Sequence, residues 1–416
     1  MRNWAGNHAY RARRILTPRS VDELQELVRG SRRIRALGSR HAFTPVADTN
    51  GDLVSLADLP RRFDVDEAAG TVTIDGGATY GDVCERIDDA GLALPNLASL
   101  PHLCVAGAVA TGTHGSGQRL GNLATSVVGL ELVRADGEIE RIGLGSNDVP
   151  LDGAVVALGA LGVVAGLTLR GEPAYAMRQD VLEDVPFAFA LQGFDELSGA
   201  ASVVSLFTDW AAPRFHQVWL KRRVGPEDDG TPAVLAGIRR ADSPRHPIPR
   251  LSPDACTPQL GEPGPWHERL PHFRLDHVPS AGAELQSEYL LDRSDAPAAT
   301  EALLPLADRL APLTWVTEIR TVARDRLWLS PSFARDSVAI HFTWKPDAAA
   351  VAPLMRLVEA ALARFEPRPH WGKLFSIDPS EVRERYPERG RFAALAGRLD
   401  PGGTFRNAFV DAFVLG

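Results

Sequence analysis

Cysteine, lysine and long apolar runs are all scarce in this sequence, and each shortage removes a class of protein. Only Cys84, Cys104 and Cys256 occur, widely spaced and odd in number. That leaves neither a disulfide framework nor a cysteine-built zinc site, and it fits a reducing compartment. Lysine is confined to Lys221, Lys345 and Lys373, so arginine supplies nearly all the positive charge, a bias we ascribe to genome composition. No stretch approaches the roughly 20 apolar residues that a membrane span needs. The first twenty residues hold Arg2, Arg11, Arg13, Arg14 and Arg19, but one serine and no apolar region after Arg13 and Arg14. Neither a transit peptide nor an export signal is therefore expected, and the expectation is a cytoplasmic protein with no membrane attachment.

A basic face is missing as well. The formal net charge is -8 at pH 7, whereas binding nucleic acid requires concentrated positive charge against phosphate. His267, His272 and His277 recur every five residues, off the spacing of three or four that lets helical ligands share a metal, so no metal is expected. Two glycine signatures are also absent: Gly-x-Gly-x-x-Gly, and a phosphate loop ending in Lys-Ser or Lys-Thr. Neither a Rossmann dinucleotide fold nor a nucleotide hydrolase is indicated.

What is present is a chain of 416 residues, 44% hydrophobic and 24% charged, the composition of a soluble globular protein long enough for two domains. Up to about residue 170, strands and helices alternate in an α+β pattern. Ser20 precedes a helical repeat over Val21 to Val28, and Ile34 to Leu37 reads as a short buried strand. Thr71 to Ile74 is a strand, Gly76 and Gly77 a turn, and Tyr80 to Asp89 a helix closed by Gly91. Val127 to Val133 and Ile139 to Ile142 flank a hairpin turn at Ala135, Asp136 and Gly137. From Pro173 the strands lengthen. Pro226 to Pro265, rich in proline, glycine and charge, is expected to be a surface excursion. Three later segments alternate with period two and are expected to share one sheet: Glu284 to Leu291, Val316 to Arg320 and Val338 to Trp344. Ala348 to Phe365 has helical spacing and should cover that sheet.

Two glycine loops stand out, Gly38-Ser39-Arg40-His41 and Gly107 to Gly117. Small residues leave backbone amides free to bond a pyrophosphate, and two loops can clamp one diphosphate from both sides. Together with Leu94-Pro95-Asn96-Leu97-Ala98-Ser99-Leu100-Pro101-His102, these loops resemble the vanillyl-alcohol-oxidase flavoproteins, specifically the alditol oxidases among them. The likeness runs from Asn3-Trp4-Ala5-Gly6-Asn7 to Asn407-Ala408-Phe409. It implies a two-domain α+β fold: an FAD-binding domain of two small α+β subdomains, and a substrate (cap) domain with a large antiparallel sheet flanked by helices. The expected boundaries are 1–172 for the FAD-binding domain, 173–372 for the substrate domain, and 373–416 for a return to the first.

The resemblance also implies FAD, bonded covalently through its 8α-methyl carbon to His41. Carried over residue by residue, the cofactor contacts are Gly38, Ser39, Arg40, His41, Ala42, Ser99, Cys104, Gly107, Ala108, Val109, Ala110, His114, Gly162 and Val163. Arg40 stands where the family has glycine, Ala42 and Cys104 where it has serine; the Arg40 guanidinium could add a contact to the pyrophosphate.

The alternating strands pair polar residues two apart: Gln286 with Glu288, Glu318 with Arg320, His341 with Thr343. A single such pair is most simply an exposed sheet face, or for Glu318 and Arg320 an ion pair holding it; three strands together suggest a pocket of mixed donors and acceptors for a polyol. In the resemblance Ser99, Glu318, Arg320, Thr343 and Lys373 hold the substrate, and Gln286 and His341 line the site. The implied reaction is oxidation of a terminal hydroxyl of a polyol such as xylitol or sorbitol to the aldose, with a hydride passing to the flavin and oxygen becoming hydrogen peroxide. The catalytic candidates are Arg320 and Lys373 for the developing alkoxide and His341 as base. The partners expected are a small polyol and oxygen, and the chain is expected to be a monomer. The alternatives are an aldonolactone oxidoreductase of the same flavin fold, a nicotinamide-using reductase, and a flavin-binding protein without catalysis.

Overall fold

A computed structural model describes residues 1–225, 233–277 and 283–416. The fold is α+β. A parallel three-stranded sheet sets Asp52–Ser55 between Arg14–Leu16 and Ile34–Leu37. Beside it lies an antiparallel five-stranded sheet ordered Phe63–Asp66, Thr71–Asp75, Val163–Arg170, Val127–Val133 and Ile139–Gly143. Local signals explain the helices between them. The Ser20 hydroxyl accepts from the Glu23 amide at the start of Val21–Arg29, and Thr79 and Asp82 form a reciprocal capping box for Tyr80–Asp89. Gly137 takes φ +81° in the hairpin turn, a conformation that glycine adopts without penalty.

Among the described residues the largest sheet has eight strands, all antiparallel to their neighbours. Three of its inner strands are the alternating segments: Thr314–Val322, Ser337–Trp344 and Leu285–Asp292 lie side by side in that order. The register places Glu288 and Glu318 on either side of His341, with Gln286 beside Thr343 one rung along. Residues two apart share a face, so these polar groups form one patch. The opposite face carries Tyr289, Ile340, Phe342 and Trp344, all buried, and Phe342 stacks on Trp344 at 4.9 Å. The helix Ala348–Leu362 covers it, with Glu359 accepting from the Tyr289 hydroxyl at 2.8 Å.

Two features tie the halves together. The Gly117 amide donates to the Thr321 carbonyl, and the Ala323 amide returns to Leu120, joining the second glycine loop to the end of an active-face strand. The C-terminal residues pack back on the first sheet: Ile34 donates to Thr404, and the Asn407 amide side chain donates to the carbonyls of Pro45, Val46 and Asp48.

The segment Pro226 to Pro265 departs from expectation. Residues 226–232 lie outside the described residues, but Leu235, His246, Ile248, Cys256, Thr257 and Gln259 are buried. Side chains supply the hydrogen bonds that its irregular backbone lacks. Gln259 accepts from the Arg245 amide and donates to the Arg245 carbonyl, and Gln217 donates to the carbonyl of His246. Composition marked the segment as loop correctly but could not show that these bonds fold it inward.

Candidate active site

One continuous cavity of about 450 Å³ runs from the glycine loops to the polar face of the large sheet. At one end the two loops interlock. The Cys104 amide donates to the Ser39 hydroxyl at 3.1 Å, and a methyl group added to Gly38 would lie 3.2 Å from the Cys104 Cβ. Among the described residues, no backbone group accepts from the amides of Ser39, Arg40, His41 or Ala42. Gly76 and Gly77 complete the wall so closely that a Cβ would meet the carbonyl oxygens of Val164 and Leu56 at 1.9 and 2.1 Å. Free amides beside glycines form a cradle of donors suited to a pyrophosphate, so the residues present fit a dinucleotide.

Arg40 takes φ +63°, the left-handed region, and so adopts the backbone that glycine would favour at a cost on the order of 1 kcal/mol. The N-terminal residues hold it there. The Trp4 amide donates to the Arg40 carbonyl, Asn3 to that of Ala42 and Asn7 to that of Phe43. The Trp4 ring stacks on His41 at 4.9 Å. Burial, then the neighbouring His102 and Arg40, push His41 down to about 4, so its imidazole is neutral.

Of the other expected cofactor contacts, Ser99, Cys104, Gly107, Ala108, Ala110, His114 and Gly162 line the cavity. The Val109 and Val163 side chains instead lie in the packed core, 1% and 0% exposed. The Cys104 thiol is buried and raised by that burial, and it turns toward the Gly76 carbonyl. Arg35, which sequence reasoning read only as part of a buried strand, braces this wall. Its guanidinium donates to the carbonyls of Val46, Leu158, Gly159 and Phe405, and burial lowers it to about 10. Leu158 and Gly159 both take left-handed φ, at +52° and +68°, directly on the carbonyls that Arg35 grips.

At the other end the cavity meets Ser99, Gln286, Glu318, Arg320, His341, Thr343 and Lys373, which the fold brings together from distant parts of the chain. Glu288, left by its sequence pattern as a sheet-face residue, is the hub. Its carboxylate accepts from Lys373 Nζ at 2.6 Å and Arg320 Nη2 at 3.2 Å, and it lies 3.2 Å from His114 Nε2, misaligned for a hydrogen bond. Arg320 Nη1 reaches the Ser99 hydroxyl at 3.3 Å. Glu318 Oε1 is 2.8 Å from His272 Nε2 and 3.5 Å from Arg320 Nε, while Oε2 is 3.7 Å from His341 Nδ1, too far for a hydrogen bond. Both ring nitrogens of His341 are buried without a partner on this wall. A buried imidazole with two orphaned nitrogens facing a cavity implies a ligand that satisfies them.

The charges here are paired. Burial alone would raise Glu288, but Lys373, His114 and Arg320 outweigh it and hold the carboxyl well below its usual range. Arg320 and His272 do the same for Glu318. Glu288 and Glu318 thus face Arg320 and Lys373, while Glu284, a third carboxylate on this wall, accepts from Gln286, and the patch offers the mixture of donors and acceptors that a hydroxylated molecule requires.

Burial also keeps His272 and His341 neutral, each pushed down to about 4, like His41. An unfolded chain would protonate these rings from about pH 6.5 downward. Between there and about pH 4 the unfolded state binds more protons, so stability falls as pH falls, by up to ~1.4 kcal/mol per unit for each ring. The depressed Glu288 and Glu318 add stability above about pH 4.5 that is lost with further acidification. The melting temperature should therefore be level between pH 7 and 8 and decline steadily below 6.5. Calorimetry showing no change down to pH 5 would contradict neutral buried imidazoles.

Comparisons with known proteins agree with this geometry. A family model described as "FAD binding domain" matches residues 12–143, and one described as "D-arabinono-1,4-lactone oxidase" matches residues 283–413. The chain is 48% identical over 413 residues to the alditol oxidase of Streptomyces sp. (strain IKD472 / FERM P-14339), covering 98% of this chain and 97% of that protein. It is 29% identical to the L-gulono-1,4-lactone dehydrogenase of Mycobacterium tuberculosis (strain ATCC 25618 / H37Rv), with 98% and 97% covered. The crystal structure of cholesterol oxidase from B. sterolicum superposes with a TM-score of 0.76 at 14% identity, over 99% of this chain and 96% of that one, and shows the fold alone. With an FAD-binding domain, this fold and that identity along nearly its whole length, the chain belongs to the alditol oxidase family of vanillyl-alcohol-oxidase-type FAD flavoproteins.

Proposed function

We propose that this enzyme oxidises the terminal hydroxyl of a polyol such as xylitol or sorbitol to the aldose, with oxygen as electron acceptor. The observation that carries this reading is the patch of paired charges, Glu288 and Glu318 with Arg320 and Lys373, around the unpartnered ring of His341. The chemistry supplied by bound FAD is acceptance of a hydride and return of its electrons to oxygen as hydrogen peroxide. Residues 1–172 and 373–416 form the cofactor domain, and 173–372 the substrate domain. The amides of Ser39 to Ala42, with Gly107, Ala108 and Ala110, hold the cofactor, and His114 and Gly162 line its site.

Ser99, Gln286, Glu318 and Thr343 bind the substrate hydroxyls beyond the reacting one and so aim its carbon. Arg320 and Lys373 stabilise the oxygen as it gains negative charge. His341 accepts the hydroxyl proton on a ring nitrogen, which burial keeps unprotonated near neutral pH. Oxidation of an aldonolactone, the reaction named by the family that matches residues 283–413, is the second reading. An aldonolactone also carries hydroxyls, but its ring carbonyl and ring oxygen only accept hydrogen bonds, whereas an open-chain polyol can donate from every oxygen to a wall that includes carboxylates.

The purified enzyme under air should yield one hydrogen peroxide for each aldose formed from xylitol or sorbitol. Turnover of L-gulono-1,4-lactone only with an added acceptor, and none of alditols, would remove the polyol reading. We further propose that the flavin is bonded to His41, whose neutral ring retains a nucleophilic lone pair. Acid precipitation should leave yellow colour in the pellet, on a peptide containing His41, and His41→Ala should release that colour to the supernatant. A colourless wild-type pellet would refute the bond.

A further inference from the structure

Glu318 is gripped from behind by a residue that the sequence showed only as one of three histidines spaced by five. Of its three neighbours His272 is the nearest, with Nε2 2.8 Å from Oε1. The ring is 5% exposed and meets Trp219 and Phe207 edge-on, with centroids 5.2 and 5.7 Å away. The amides of His272 and Phe273 both point at the Ser99 carbonyl, at 3.1 and 3.2 Å. One short segment thus touches Glu318 through a side chain and Ser99 through its backbone.

That segment has an unusual foundation. Lys221 is fully buried, and its ammonium donates to the carbonyls of Arg269, Leu270 and Pro271 at 2.6, 2.9 and 2.7 Å. No carboxylate accepts from it among the described residues. Three consecutive carbonyls converging on one buried cation set the path of the chain just before His272. The Thr257 hydroxyl adds a bond to the Pro271 carbonyl at 2.8 Å.

We propose that His272, on a segment clamped by Lys221, is a positioning residue that fixes the Glu318 carboxylate so that Oε2, on the His341 side, is left for the substrate. The role in substrate binding rests on the polyol reading above. A carboxylate turns almost freely about its last torsion, and Arg320 competes for it from one side. A hydrogen bond from His272 to Oε1 removes that freedom and leaves one oxygen presented to the cavity. The proton sits on Nε2, and Nδ1 has no partner.

The test compares His272→Leu and His272→Gln as flavin-loaded enzymes. Loss of a hydrogen bond to a charged group should raise KM for xylitol by roughly 10- to 100-fold. Because Glu318 holds the substrate alike in ground and transition states, kcat should change by less than about threefold. Glutamine, which keeps a neutral N–H donor, should recover KM to within about fivefold of wild type. Lys221→Met should shift KM in the same direction as leucine. A His272→Leu enzyme with native flavin absorbance and KM within twofold of wild type overturns the proposal, as does a glutamine variant no better than leucine.

Should the leucine variant not fold, 15N-histidine labelling of the wild type still decides. His272 should appear as a neutral ring protonated on Nε2, with a resonance that shifts in Glu318→Gln. A proton on Nδ1, or no shift, overturns the proposal without any turnover being measured. A wild type that oxidises no alditol would instead remove the polyol reading and leave the His272 and Glu318 contact to be judged by this spectrum.

Discussion

Arg320→Ala should lower kcat/KM for alditols by about 10² to 10³, the range found when one donor to a developing oxyanion is removed. The size follows from its contacts. One guanidinium, 5% exposed, reaches the Ser99 hydroxyl and the Glu288 carboxylate and lies 3.5 Å from Glu318. Its removal leaves Glu318 with only neutral imidazoles beside it and Glu288 with Lys373 as its one cation and His114 at 3.2 Å. Breaking a buried ion pair from one side costs about 3–5 kcal/mol, so the melting temperature should fall too. The stability loss therefore has to be separated from the catalytic one. Arg320→Lys keeps the charge and should regain most of the stability, but lysine cannot reproduce the forked contact with Ser99 and Glu288 and should regain much less activity. An Arg320→Ala enzyme that retains its flavin and turns over xylitol within tenfold of wild type would show that the arginine only holds the sheet together.

His341→Ala is the second large effect, with kcat expected to fall by about 10² to 10⁴, the contribution of a positioned base. The wild-type ring lies between Glu288 and Glu318 in the sheet register but hydrogen-bonds to neither, which leaves its nitrogens free for a substrate hydroxyl. Held down to about 4 by burial and then by Lys373, it is unprotonated across the neutral range. The kcat/KM profile of the wild type should therefore be flat through pH 6 and bend downward only as the ring protonates at lower pH. His341→Gln preserves bulk and hydrogen bonding but cannot accept a proton, and it should be nearly as slow as alanine. Both variants should lack the acid limb assigned to this ring. A glutamine variant with near-native kcat would reassign the base and reduce His341 to a buried sheet residue.

Much of the architecture was legible because it is encoded locally. Period-two alternation in three segments predicted that they share one sheet, and they do, side by side, with one face of each buried against the helix Ala348–Leu362. Ser20 announced a helix by offering its hydroxyl to a free amide. The glycine loops announced a cradle because the absence of side chains is itself the signal.

The importance of Glu288 was not legible, because its partner Lys373 is 85 residues away, and the separation of 46 positions between His272 and Glu318 hides that pair in the same way. Arg35 inside a strand and Lys221 inside another resemble surface cations until the carbonyls that surround them are in place. The burial of His246 and Ile248 depended likewise on side-chain bonds from Gln217 and Gln259, which composition cannot reveal.

By itself, then, the sequence determined the elements, the cofactor loops and the polar face of the sheet, because backbone geometry and side-chain alternation are properties of neighbouring residues. The tertiary structure alone decided which carboxylate each cation neutralises and which imidazole is left unpartnered. Those outcomes depend on desolvation and on distances of 3 to 4 Å between residues far apart in the chain, and only the packed sheet sets them.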